Sequence, residues 1–379
     1  MNKLFLKKII KKKFNLSDFK KPFCSNEKKK FKRYETVNFK STFFKSKNKN
    51  FIKGKKMLII SGPARNGNHI VMSMLDGHPD IGFLPGEDFL LREFFSRAKE
   101  NEKKLLLKVK NLKDIKFLTN MSGAYTDKWK LSDEFFKKKA IPKFWSGQQP
   151  ENKSHIADFQ DIVPKINYKS YFNFLSSKIN NLRNSKNFME FFEIYLNALN
   201  KLVPEKKHAK YQHLYVYSGL RRELFYILEK TEKVICISPI RRFESFYYSY
   251  AKSRFSTNAV KQKAFNELWD HWRHKTIDYL LLKKKYPNKI IFVKFEDLLR
   301  RPGLTAKKLC KKLKIKFSKK LLIPTLLEKK VKGNSSFRKS DKYKGKFYQD
   351  PLDLQFKFPK EILPDEYYEI YAEVSKNCI

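Results

Sequence analysis

Cysteine and long apolar runs are both scarce in this chain. Its four cysteines lie far apart, at positions 24, 236, 310 and 378, with no spacing typical of a metal site. They predict reduced, incidental thiols in a cytosol-like compartment and no disulfide framework. No apolar run reaches the roughly 18 residues that a membrane-spanning helix needs, and the amino-terminal stretch has no apolar core of a secretory signal. These absences predict a cytoplasmic protein.

Acidic residues are few. The 379 residues include 84 Lys+Arg against 38 Asp+Glu, a formal net charge of +46. Such a charge favours anionic partners and their rapid association. A general bias towards lysine would give the same charge without a polyanionic partner, and both interpretations stay open. No motif for specific nucleic-acid recognition accompanies the charge.

Residues 1–55 are rich in lysine and show little periodicity, which predicts a flexible, solvated basic arm. The alternative is a short basic helix within residues 1–20 that lies on an anionic membrane. Its apolar face would consist of Leu4, Phe5, Ile9, Ile10 and Phe14. The protein would then be membrane-peripheral.

Residues 56–379 predict one α/β domain, because apolar strands alternate with amphipathic helices and thereby favour a parallel sheet covered on both faces. The predicted strands are 57–61, 81–84, 233–238 (halted by Pro239) and 289–295. The predicted helices are 188–202, 220–228, 243–251, 265–282 and 304–313, with a helix or turn over 88–98. Residues 101–187 carry weak signals, with Pro142, Pro150 and Pro164 as breakers.

The segment from Ser61 to His69 reads Ser-Gly-Pro-Ala-Arg-Asn-Gly-Asn-His and follows the first predicted strand. A strand, a glycine-bounded loop and a helix start direct backbone N–H groups at one point, which suits a phosphate or sulfate. Gly62 and Gly67 have Walker A spacing, but Asn68 and His69 replace its lysine and hydroxyl residue. The usual magnesium ligand of a nucleotide kinase is therefore missing.

Together with Met74-Leu-Asp-Gly-His-Pro-Asp-Ile81 and Gly86-Glu87, this loop resembles the start of a sulfotransferase domain. The resemblance implies a P-loop NTPase-like fold of three layers around a central parallel sheet. It further implies a variable, acceptor-side insertion at about residues 101–187. It also implies 3′-phosphoadenosine-5′-phosphosulfate (PAPS) as the sulfuryl donor, without a metal. The implied donor-binding residues of the loop are Gly62, Pro63, Arg65, Asn66, Gly67, Asn68 and His69.

Further segments agree with the resemblance. The family holds the donor's 3′-phosphate with an arginine at a strand end and a serine on the next helix; Ser245 matches the serine, but Ile237 occupies the arginine position. Arg241, placed one helical turn before Ser245, is the first replacement, and Arg242 is a less direct one.

Glu296 and Asp297, in a Phe-Glu-Asp-Leu strand end, are expected to act as caps or ion-pair partners. Gly333-Asn-Ser-Ser-Phe-Arg-Lys resembles the family's closing loop and implies donor contacts from Ser335, Arg338 and Lys339.

Sulfuryl transfer needs charge stabilisation and a base that deprotonates the acceptor. Arg65 is assigned to the first task; Glu87 or Asp88 is assigned to the second, with His69 and His155 as alternatives. The sequence thus predicts a metal-independent transferase that acts on a hydroxyl or amine, with a carbohydrate as the acceptor the family favours. The alternative is a non-catalytic basic protein on the same scaffold that docks to an anionic polymer or membrane. A small-molecule kinase is a third option, which the missing lysine and hydroxyl disfavour.

Overall fold

The computed structural model describes residues 56–63, 65–83, 90–91, 107, 110, 167–203, 206–218, 221–254, 262–331, 345–347 and 363–379. The predicted basic arm lies outside the described residues. So does most of the predicted insertion, of which only 107, 110 and 167–187 are described.

A four-stranded parallel sheet forms the centre of the fold. Its strands are β1 (Lys56–Gly62), β2 (Tyr211–Ser218), β3 (Val234–Ile240) and β4 (Ile290–Lys294), in the spatial order β2-β1-β3-β4. Consecutive residues of β1 and β4 are buried without alternation, so both sheet faces are covered. This confirms the predicted α/β class with a central parallel sheet between layers of helices.

Helices connect the strands. They are α1 (Asn68–Leu75), α2 (Tyr168–Ser177), α3 (Ile179–Arg183), α4 (Phe188–Leu199), α5 (Arg221–Lys230), α6 (Phe243–Arg254), α7 (Gln262–Lys285), α8 (Phe295–Arg300), α9 (Pro302–Leu313) and α10 (Asp365–Asn377). A 3₁₀ turn at Lys319–Leu322 precedes a short hairpin of β5 (Thr325–Leu326) and β6 (Lys329–Lys330).

The strand order locates a crevice. From β1 the chain moves to β2 on one side and then crosses to β3 on the other side. In open parallel sheets, ligands bind outside the carboxyl ends of the strands at such a reversal. The loop at Gly62–Gly67 leaves β1 at this place.

Two predicted strands differ from the structure. Within the described part of the strand predicted over 81–84, residues 81–83, there is only a single bridge, between Ile81 and Tyr211; Gly82 packs directly against the backbone of Gln212. β3 is not halted by Pro239 but runs on to Ile240. Pairing of β3 with β1 ends at Ile237, so the missing N–H of Pro239 leaves no ladder position empty on that side.

Aromatic side chains form a second core cluster beside the carboxyl end of β3. Phe243, Trp269, Trp272 and Tyr367 come from α6, α7 and α10 and pack with ring centroids 5.3–6.3 Å apart. Rigid aromatic packing of this kind fixes the backbone that it surrounds. It therefore supports the turn from β3 into α6.

Candidate functional site: an anion cradle at the carboxyl edge of the sheet

The cradle begins where β1 ends, at Gly62. A Cβ on this residue would lie 2.9 Å from the carbonyl oxygen of Pro239 and 3.0 Å from Oδ1 of Asn68. Asn68 in turn donates from Nδ2 to the Gly62 carbonyl over 3.4 Å. Only glycine allows the loop to leave the sheet this close to β3.

Arg65 and Gly67 both have left-handed backbone, with φ of 64° and 107°. A Cβ on Gly67 would also lie 2.7 Å from Cδ2 of Phe295. The loop closes onto α1 through Ile70 and Val71, whose N–H groups donate to the Gly67 carbonyl over 3.0 and 3.1 Å. The first N–H groups of a helix have no acceptor within it, so the start of α1 can offer hydrogen-bond donors to an anion.

Arg241 enters the cradle from the end of β3. It is buried, with only 6% of its surface exposed. Its Nε donates to Ser245 Oγ over 2.5 Å, and Nη1 donates to the Arg65 carbonyl over 3.0 Å. Its guanidinium carbon lies 4.1 Å from the ring centroid of Phe295. Two arginines from separate strand ends therefore meet beside the start of α1.

Arg241 forms no ion pair with a carboxylate among the described residues. Burial lowers the pKa of its guanidinium to about 9; the charge of Glu296 counteracts this shift, and the charge of Arg65 adds to it. A desolvated cation beside a second cation is stabilised by a bound anion more than by any other ligand.

Three elements hold the Arg241 backbone. Trp272 donates from Nε1 to its carbonyl over 2.8 Å, and the next N–H, that of Arg242, donates to Glu296 Oε1 over 3.0 Å. Tyr371 of α10 donates to the other Glu296 oxygen over 3.1 Å. The arginine is thus held in place by α7, α8 and α10.

Arg241 precedes the helix that carries Ser245 and lies outside its first turn. Helix α6 begins at Phe243, because the backbone of Arg241 and Arg242 is held by Trp272 and Glu296 instead. The side chain nevertheless reaches Ser245 directly. Ile237 is fully buried in β3, and the guanidinium of Arg242 lies 5.5 Å from the ring centroid of Tyr371. Asp297 forms an ion pair with Arg301 over 2.9 Å, in line with its expected role.

Asn66 is the unusual polar residue of the loop. Its side chain is fully buried, and neither amide atom has a hydrogen-bond partner in the described structure. Its backbone N–H donates to the Pro63 carbonyl over 3.2 Å. His69 lies in the first turn of α1 and is partly exposed.

Several predicted site residues lie outside the described residues: Glu87, Asp88, His155, Ser335, Arg338 and Lys339. Phe295 and Trp272 were missed, although Phe295 stands in the Phe-Glu-Asp-Leu strand end that the sequence singled out. Their contribution is contact with Arg241, which depends on tertiary packing.

Within the described ranges, no group of three or more His, Cys, Asp or Glu side chains has the arrangement of a metal site. None of the described helices combines the length and the apolarity that crossing a bilayer requires.

Solved sulfotransferase structures align with the chain. The sulfotransferase domain of the Synechococcus PCC 7002 olefin synthase is 14% identical, covers 88% of this chain and 96% of its own, and gives a TM-score of 0.47. The domain from the curacin biosynthetic pathway is also 14% identical, with 85% and 98% covered and a TM-score of 0.44. STF9 from Mycobacterium avium is 12% identical, covers 70% of this chain and 66% of its own, and gives a TM-score of 0.34. No family model matches the chain, and no curated protein matches it by sequence. The chain is thus similar to sulfotransferase domains of known structure, as the sequence predicts.

Proposed function

We propose that this protein transfers a sulfuryl group from PAPS to a hydroxyl or amine of an acceptor. The observation that carries the proposal is the meeting of Arg65 and Arg241: a buried guanidinium that forms no ion pair with a described carboxylate donates to the backbone carbonyl of a second arginine, just before a helix start. Two separate cationic centres suit a donor with anionic groups at both ends of its ribose.

The residues of the cradle fit such a donor. Gly62 and Gly67 let the loop pack closely against Pro239 and Phe295, and the buried amide of Asn66 has hydrogen-bonding capacity to spare. In the proposal, Arg65 and the first amides of α1 hold the phosphosulfate, and Arg241 with Ser245 holds the 3′-phosphate. Ser335, Arg338 and Lys339 are proposed to add contacts from the carboxyl-terminal loop.

When bound, PAPS supplies an activated sulfuryl group. Arg65 and the neighbouring amides would stabilise charge that develops on the oxygens of the transferred and leaving groups. Glu87 or Asp88 is proposed to accept the acceptor's proton, with His69 and His155 as alternatives. A carbohydrate is the first acceptor to test, on the resemblance alone, and cytoplasmic location remains part of the proposal.

Calorimetry with adenosine 3′,5′-bisphosphate and ADP, each with and without Mg²⁺, tests the proposal. We expect the bisphosphate to bind more tightly than ADP and without dependence on Mg²⁺. Preference for ADP with Mg²⁺ would indicate a kinase, and binding of neither nucleotide would indicate a non-catalytic scaffold; either result overturns the proposal.

Arg241→Ala provides the matched variant. It should lower bisphosphate affinity about tenfold to a hundredfold, the range for a hydrogen-bonded charge. Arg300→Ala is the control, because Arg300 is an exposed arginine at the end of α8. It should bind the bisphosphate as the unmodified protein does.

A further inference from the structure

A continuous run of exposed lysines covers α9 and the segment after it. We call this surface the basic face. Its eight lysines are all exposed: Lys307, Lys308, Lys311, Lys312, Lys314, Lys316, Lys319 and Lys320. No acidic residue occurs between Asp297 and Glu328. The basic face therefore carries charge of a single sign.

General lysine enrichment does not explain this segregation. Helix α10 of the same chain carries Asp365, Glu366, Glu369 and Glu373 against the single Lys376. On α9, lysines four residues apart repel each other, which destabilises a helix unless an anion screens them. The distribution of charge points to an anionic partner on the α9 side.

An apolar side chain stands in the middle of the basic face. Helix α9 buries Thr305, Ala306, Leu309, Cys310 and Leu313, so its opposite side faces outward. Leu304 lies at the centre of that outward side, because Lys307, Lys308 and Lys311 follow it at three, four and seven positions. Leu304 is 45% exposed.

A second exposed apolar residue belongs to the same end of the helix. Ile323 is 38% exposed, and its neighbour Leu322 lies 3.8 Å from the position of a Cβ on Gly303, the residue before Leu304. Four large apolar side chains are exposed among the described residues, and two of them lie here.

The rest of the molecule holds the basic face rigidly. Tyr211 donates to the Leu313 carbonyl over 3.1 Å, and Lys210 Nζ donates to the Lys314 carbonyl over 2.5 Å. His78 accepts from the Asp80 N–H at Nδ1 over 3.1 Å, which leaves Nε2 to donate to the Lys316 carbonyl over 2.7 Å. The surface is therefore preformed.

We propose that the basic face docks this protein onto an anionic lipid bilayer, with α9 parallel to the membrane plane. The lysines match the anionic headgroups, and Leu304 and Ile323 match the apolar layer beneath them. A nucleic acid or a polysaccharide would use the lysines alone. This surface is separate from the anion cradle and does not depend on the proposed sulfuryl transfer.

Sedimentation with vesicles of equal parts phosphatidylserine and phosphatidylcholine tests the proposal on the full chain. Changing the four lysines of α9 to glutamine should weaken binding on the order of several hundredfold, since each basic residue near such a surface contributes about fivefold. The control changes four exposed lysines elsewhere to glutamine and should weaken binding less than about twofold per residue removed. These control positions are Lys169, Lys178, Lys186 and Lys376.

Leu304→Ser separates a membrane from a soluble polyanion. It should weaken vesicle binding about threefold, because its apolar contribution is lost, and leave heparin binding unchanged. If the α9 variant binds vesicles like the control variant, the basic face is not the docking surface. If Leu304→Ser leaves vesicle binding unchanged, the partner is a polyanion and the membrane proposal is wrong.

Discussion

At the residue scale, Asn66 departs most from what folding alone requires. A buried amide without a partner normally costs about 1–3 kcal/mol, yet Asn66 is fully buried and both its side-chain atoms are unpaired in the described structure. It lies between Arg65 and Gly67, at the turn into α1. Such a residue is explained more readily by ligand binding than by stability.

Asn66→Ala should therefore separate stability from binding. We expect the free energy of unfolding to stay the same or rise by about 1 kcal/mol, because an unsatisfied amide is removed. The affinity for adenosine 3′,5′-bisphosphate should fall about tenfold, because a donor or acceptor for the anion is lost. Urea denaturation and calorimetry check the two effects. A large loss of stability with unchanged affinity would assign Asn66 a structural role.

Gly67→Ala should impair both properties. Its φ of 107° and the ring of Phe295, 2.7 Å from the added Cβ, make alanine strained there. We expect a loss of about 1–3 kcal/mol in unfolding free energy, together with loss of nucleotide binding. Thermal and urea denaturation measure the first effect, and calorimetry the second.

Gly303→Ala is the control for this change. It lies within α9, and its added Cβ would meet only Leu322 at an ordinary 3.8 Å. Alanine there should raise the unfolding free energy by about 0.5–1 kcal/mol. Equal destabilisation by both changes would contradict the assignment of strain to the loop.

At the element scale, Asp76 joins the far end of α1 to the β5–β6 hairpin. Its Oδ2 accepts from Thr325 Oγ1 and from the Glu328 N–H, each over 2.9 Å, and Oδ1 accepts from the Leu327 N–H over 3.0 Å. Leu327 and Glu328 both have left-handed backbone, with φ of 48° and 66°. One buried carboxylate thus holds the turn of the hairpin against the helix that begins at the anion cradle.

A graded series tests this connection. Asp76→Ala should lower the unfolding free energy by about 2–4 kcal/mol, since three donors lose their charged acceptor. Thr325→Val removes a single donor and should cost about 1 kcal/mol. Urea denaturation measures both. Equal costs for the two variants would show that the backbone donors do not depend on Asp76.

Lys206 gives the same region a pH dependence. Its Nζ donates to the carbonyls of Asp76 and His78, both over 2.8 Å. Burial lowers its pKa from 10.5 to about 8, and Lys320 acts in the same direction, whereas the charges of Asp76 and Glu328 oppose the shift. The folded state therefore binds this proton less tightly than the unfolded chain does.

The contribution of Lys206 to stability should accordingly rise as the pH increases from about 8 towards 10.5. In Lys206→Met this rise is absent, so the stability difference between unmodified protein and variant should change with pH in that window. Urea denaturation across the window measures the difference. A constant difference would show that the lysine titrates alike in the folded and unfolded states.

Sequence patterns predicted the elements whose apolar residues are continuous, such as β1, β4 and α4. They missed β2, since its Tyr-Gln-His-Leu-Tyr-Val-Tyr-Ser run has no clear alternation or apolar core. They also missed α2 and α10, in which tyrosines and charged residues dilute the helical period. The tight loop between β1 and α1 was predictable because glycine spacing encodes it locally. The contact between Arg241 and Arg65 was not, since it depends on the pairing of β1 with β3.

At the scale of the whole molecule, the cradle and the basic face occupy separate places. The cradle lies at the carboxyl ends of β1 and β3, and α9 presents its lysines on another surface that leads to the start of β2 at Tyr211. The net charge of +46 is therefore distributed unevenly over the described surface: lysines are concentrated on the basic face, whereas α10 is acidic. A positive field of this size attracts small anions and anionic surfaces alike, and local geometry decides which anion each surface binds.

The most direct measurement of the central claim is a matrix of dissociation constants from calorimetry. The ligands are adenosine 3′,5′-bisphosphate, 3′-AMP and 5′-AMP, and the proteins are the unmodified chain, Arg65→Ala and Arg241→Ala. The account predicts that Arg241→Ala weakens the two ligands with a 3′-phosphate about tenfold or more and 5′-AMP less, because its Nη1 also holds the Arg65 carbonyl. Arg65→Ala should weaken the two ligands with a 5′-phosphate more than 3′-AMP. Equal losses for every ligand in both variants, or no loss in either, would contradict it.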